Sequence, residues 1–153
     1  MIDTHALPTA SFSVASTHAM PRRRRVLRRV GAVFAGLFAI FAITTATDAV
    51  MHATGVFPPV NAAPMSGALF LLAFAYRFVF DVAGSALTAR LAPDRPMRHA
   101  LALGTIGLVL SVGGAIAMWD AGPAWYPLGL AASALPCAWL GGRLDERRAN
   151  AAA

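Results

Sequence analysis

From Val30 to Thr47 the chain runs eighteen residues without a charged side chain, directly after Arg22-Arg23-Arg24-Arg25-Val26-Leu27-Arg28-Arg29. A secretory apolar region spans about 7 to 15 residues, so this longer one reads as an uncleaved anchor. About 20 mostly apolar residues cross a hydrocarbon layer of about 30 Å as a helix. Three more such runs follow, and the expected fold is all-α: a bundle of four transmembrane helices near 29–54, 66–91, 98–118 and 124–142. Pro58-Pro59, Pro93 with Pro96, and Gly122-Pro123 end the runs, because proline lacks the N–H a helix interior needs. Residues 22–143 form the membrane domain, and 144–153 read as a cytoplasmic tail. Residues 1–21 lack apolar periodicity and read as a disordered leader, with Met20 an alternative start to Met1.

Charge distribution orients the bundle. All thirteen basic residues are arginine. Six precede the first run, Arg90, Arg95 and Arg98 border the second connection, and Arg143, Arg147 and Arg148 follow the last. The first and third connections hold none. Short loops rich in arginine stay cytoplasmic, so both termini are expected inside, and an odd number of spans would spoil the separation. Trp119, Trp125 and Tyr126 stand at the outer boundary and Trp139 at the inner one, as an aromatic belt requires. Charged residues make up only 13% of the chain, against about 25% in soluble proteins. The net charge of +6 lies at the ends of apolar runs and not on a basic face interleaved with aromatics, which excludes a nucleic-acid partner.

Helices in lipid associate through close backbone approach at small residues. Helix 3 has such a stripe in Gly104, Gly107, Ser111, Gly114 and Met118, and helix 4 has one in Gly129, Ser133, Cys137 and Gly141. The two stripes are expected to meet, with Gly107 and Ser133 central to the contact. Their alternative use is a seam for a homodimer or another membrane protein, the partners this reading allows besides the bilayer. Cys137, the single cysteine, reads as a packing residue and rules out an intramolecular disulfide. Pro136 predicts a kink in helix 4.

Ionisable groups at membrane depth are costly and mark candidate sites. They are Asp48, His52, Arg77 and Asp81, with Tyr76 beside them. Arg77 lies roughly 16 Å from Ser66 along a helix, near mid-membrane. Thr44, Asp48 and His52 share one helix face, as do Arg77 and Asp81. The first reading is structural: Arg77 pairs with Asp81 and Asp48 and docks helix 1 on helix 2. A second makes Asp48, His52 and Asp81 a proton or cation relay of a small secondary transporter. An enzyme is disfavoured, since no second intramembrane His completes a haem pair and no His-Glu-x-x-His motif occurs. Two ligands, Asp48 and His52, do not make a metal site, and no cofactor is expected.

The strings Gly55-Val56-Phe57-Pro58-Pro59, Ala75-Tyr76-Arg77, Thr88-Ala89-Arg90-Leu91-Ala92-Pro93, Arg95-Pro96-Met97-Arg98-His99-Ala100-Leu101 and Leu135-Pro136-Cys137-Ala138-Trp139-Leu140-Gly141-Gly142 resemble small, uncharacterised four-span inner-membrane proteins of bacteria. The resemblance covers about residues 30 to 143. It implies that topology and a bacterial inner membrane, and assigns no catalytic residue.

Overall fold

The computed structural model describes residues 22–59 and 65–152. The expected disordered leader, residues 1–21, lies outside the described residues, as does the far side of the first connection, residues 60–64. Four long helices follow one another: α1 Arg22–Ala53, α2 Gly67–Leu91, α3 Pro96–Ala117 and α4 Trp125–Ala151, with a 3₁₀ turn at Trp119–Ala121. The described residues contain no strand.

The ends of the helices follow from local chemistry. Past Ala53 the chain reaches Gly55 at φ 73°, a left-handed conformation that glycine adopts without a Cβ clash. Phe57 then folds back, its N–H donating to the carbonyl of Met51 and its ring meeting His52 edge-on at 5.5 Å. Ala92, the residue before Pro93, is extended and stops α2, as steric conflict with a following proline ring requires. Pro96 opens α3 in the first turn, where its missing N–H costs nothing.

Two helices are longer than the apolar runs. Helix α1 begins at Arg22, seven residues before the expected boundary, because arginine is a good helix former and no Gly or Pro intervenes before Gly31. Helix α4 continues from the expected end near residue 142 to Ala151 through Leu144-Asp145-Glu146-Arg147-Arg148. Good formers again carry it, and Arg143 lies 3.8 Å from Glu146 one turn on. Residues 144–151 of the expected tail are therefore helical. Pro136 sits inside α4, and the helix passes through it.

Helix α2 packs against each of the other three; α3 lies close along α4, and α1 rests on α2 with a thinner contact to α3. The packed faces are built of small residues, among them Ala73, Ala89, Ala100, Ala134, Cys137 and Ala138, with Leu103 the largest side chain fully inside. The bulky ones point out: Phe38 is 72% exposed and Ile116 76%. In water that arrangement would forfeit most of the hydrophobic stabilisation, whereas in lipid close backbone approach is what holds helices together. Three helices, α1, α2 and α3, are long and apolar enough to cross a membrane.

Candidate functional site

The polar centre of the bundle is Arg77 on α2. Its Nη2 donates to Asp48 Oδ2 of α1 at 2.5 Å and its Nη1 to the Tyr76 hydroxyl oxygen at 2.9 Å. The Tyr76 hydroxyl donates in turn to Asp48 Oδ1, so both carboxylate oxygens of Asp48 are engaged. The guanidinium carbon also stands 6.0 Å from the centre of the Tyr126 ring of α4, within cation–π range. Tyr126 is held there by Phe70 of α2, ring centres 5.1 Å apart. One arginine thereby joins three helices.

The geometry follows from the tilt of side chains toward the N-terminus of their own helix. Helices α1 and α2 are antiparallel neighbours, so Arg77 points along α2 toward Gly67 while Asp48 points down α1 toward the middle of the bundle. The two meet even though α1 ends at Ala53, only five residues past Asp48. Asp81, one turn C-terminal to Arg77, is left behind. The expectation that Arg77 binds Asp81 as well as Asp48 needs this correction: among the described residues the arginine forms an ion pair with Asp48, and none joins it to Asp81. An arginine preceding an acid by four residues leans away from it, the weaker order for a helical pair.

Asp81 instead lines a cavity of about 270 Å³ reached by all four helices, together with Thr44 of α1, Arg77 and Ser85 of α2, and Gly107 and Ser111 of α3. Its walls are otherwise apolar and include Phe41 of α1 and Leu110 of α3, both of which are exposed. The Thr44 hydroxyl oxygen is buried without a hydrogen-bond partner among the described residues. His52 does not join this assembly. It is exposed and meets the ring of Phe57, and no hydrogen bond or ion pair among the described residues links it to Asp48 or Asp81. No group of three or more His, Cys, Asp or Glu side chains suited to a metal ion occurs among the described residues.

The small-residue stripes have different neighbours from those expected. On α3, Gly104 does face α4: a Cβ there would overlap that of Ala138 and stand 3.2 Å from the Ala134 carbonyl. Gly107 and Gly114 have nothing within 4 Å of a Cβ position, and Gly107 and Ser111 line the cavity. Three members of the α4 stripe face α2. A Cβ on Gly129 would stand 3.2 Å from the Phe74 ring, the Cys137 thiol lies 3.8 Å from the Phe78 carbonyl, and Gly141 meets Val82 and Ser85. Ser133, also buried, donates to the Leu130 carbonyl of its own helix at 3.0 Å. Helix α4 reaches α3 from an adjacent face, through Ala134, Ala138 and Gly142, the last against Met97 and Ala100.

Sequence reasoning missed two contributors. Tyr126 was legible only as an aromatic-belt residue, since nothing in its spacing points to Arg77. The other is a clamp at the opposite end of the bundle. Arg29 of α1 holds Asp94 of the α2–α3 connection through Nε at 2.9 Å and Nη2 at 2.5 Å, the bidentate geometry suited to arginine and carboxylate. A lone acid in an arginine-rich loop was a signal for it. The Arg29 hydrogen bonds hold the Asp94 carboxyl below the usual aspartate range. A carboxyl lowered on folding contributes stability above its unfolded pKa, about 4, and loses it as pH falls through the lower folded value. Melting temperatures of the wild type and Asp94→Asn should therefore differ slightly at neutral pH and converge on acidification below about pH 4. A gap that persists at low pH would assign the effect to something other than this pair.

Comparison with protein-family models, curated proteins and solved structures finds no match.

Proposed function

We propose that this chain is a four-span protein of a bacterial inner membrane, both termini cytoplasmic, with a structural or accessory role and no enzymatic activity. The observation that carries this reading is the commitment of Arg77. An intramembrane arginine is the group most open to use in chemistry or transport, and here it is consumed by Asp48, Tyr76 and Tyr126, contacts that dock α1 and α4 on α2. As the fourth span, α4 offers residues 125–142 without a charge. What lowers its hydropathy is Trp125, Tyr126, Pro127, Pro136 and Trp139, residues that membrane helices accept at their ends or at kinks. Arg143 stacks on Trp139, 5.4 Å from the ring centre, an arrangement suited to the inner headgroup layer.

Alkaline phosphatase fused after Pro59, Asp94, Gly122 or Ala153 tests the topology. Activity is expected at Pro59 and Gly122 alone, and activity after Asp94 or Ala153 would refute the ends-inside, four-span arrangement. A small proton- or cation-coupled transporter is the second reading, favoured by one observation, Asp81 in its cavity without an ion pair among the described residues. Purified protein in liposomes with an imposed pH gradient separates the two. The structural role predicts a proton leak equal to that of empty liposomes, whereas a leak that vanishes in Asp81→Asn would establish transport.

A further inference from the structure

Charge bookkeeping at the middle of the bundle does not close. Arg77 and Asp48 neutralise each other at 2.5 Å. Asp81 then remains, a carboxylate with neither ion pair nor hydrogen bond among the described residues. Around it α2 supplies Arg77, already paired with Asp48, and α4 the Cys137 thiol, while the cavity-lining residues of α1 and α3 carry no ionisable side chain. A carboxylate beside an apolar chamber must be neutralised there, by a proton or by a cation placed against it.

The chamber has the dimensions of a site. A cavity of about 150 Å³ lined by apolar side chains holds benzene, and on that scale 270 Å³ takes about eleven non-hydrogen atoms. Gly107 and Ser111 keep the α3 wall recessed; a larger residue at either would occupy the space. Phe41 of α1 adds an aromatic side chain to the apolar lining. We propose that this cavity binds one compact lipophilic cation, an apolar amine or quaternary ammonium, with its charge against Asp81 and its hydrocarbon part against α1 and α3. The proposal rests on the membrane-spanning reading, which the reporter fusions test separately, and is independent of whether the role is accessory or transport.

Benzyltrimethylammonium, a permanent cation of suitable size, and neopentylbenzene, its uncharged isostere, form the test pair. Affinities are measured by equilibrium titration of the purified full chain in maltoside micelles, and for each ligand the wild type is compared with a variant, so that partition into detergent cancels. In Asp81→Asn the cation should bind about tenfold more weakly or worse, while the neutral isostere keeps its wild-type affinity. Gly107→Leu, which fills the chamber from a position with free space around it, should weaken both ligands by a similar factor. Cation binding that is undetectable in the wild type, or unchanged in Asp81→Asn, overturns the proposal. Should Asp81→Asn fail to fold, Gly107→Leu decides: retention of wild-type cation affinity there places the ligand elsewhere.

Discussion

Arg77→Leu is expected to lower stability in detergent by about 3 kcal/mol, near the lower end for removing one partner of a buried ion pair. For a domain of this length that corresponds to a melting temperature roughly 10 °C lower. The side chains of Arg77 and Asp48 are 23% and 30% exposed, enough protein cover that Asp48 cannot recover full hydration once the guanidinium is gone. The Tyr76 hydroxyl still donates to one carboxylate oxygen, but the other loses its donor. Tyr126 loses the cation above its ring, and α4 one of its links to α2. Removing the orphaned charge should restore part of the loss, so Arg77→Leu with Asp48→Asn should melt above Arg77→Leu alone. Combination with Asp81→Asn should recover less, because Asp81 loses only a longer-range attraction. Equal or greater recovery with Asp81→Asn would show that Arg77 divides itself between the two acids.

The pairing shows what periodicity conveys and what it omits. Spacing of four residues places Asp48 and His52 on one face of α1, and Arg77 and Asp81 on one face of α2, but says nothing of height. Height depends on where the helix ends and on the lean of side chains toward the helix N-terminus. That lean carries Arg77 toward Asp48 and away from Asp81. His52 stands in the last turn of α1, beyond the reach of the pair. The helices themselves were legible because four apolar runs and their proline-containing connections are long signals. Their outer limits were not, since the boundary of an apolar run is set by charge and the boundary of a helix by a breaker. Arg22 to Arg29 and Leu144 to Ala151 are charged without containing Gly or Pro, so the helices continue through them.

A stripe of small residues has the same one-sided content: it shows that a face can approach something closely, and not what. Helix 4 has two neighbours, and Gly129, Cys137 and Gly141 of its stripe face α2, against the Phe74 ring, the Phe78 carbonyl, Val82 and Ser85. On α3, Gly104 packs against α4, and the next two members of the stripe line a cavity. Expecting the stripes to meet assumed that each small residue serves packing. Here two of them hold space open.

Gly141→Leu is accordingly expected to be among the most damaging single substitutions, and Gly107→Leu among the mildest. A Cβ on Gly141 would stand 2.5 Å from the Val82 carbonyl oxygen, 2.6 Å from the Ser85 Cβ and 2.7 Å from the Ala86 nitrogen. Two of these three atoms are backbone of α2, which no rotamer change can move aside. The helices must separate, and separation forfeits the contacts of Gly129 with Phe74 and of Cys137 with Phe78 along the same seam. Overpacking against side chains costs about 1 to 3 kcal/mol; against backbone the upper end is expected, with a corresponding fall in the amount of protein recovered from membranes. At Gly107 a Cβ meets nothing within 4 Å, and leucine has the better helix propensity by about 0.8 kcal/mol or less, so stability should hold or rise slightly. Melting temperature and yield of the two purified variants give the answer. Equal damage at both positions would mean that α3 closes against a neighbour at Gly107 and that the cavity is filled by protein.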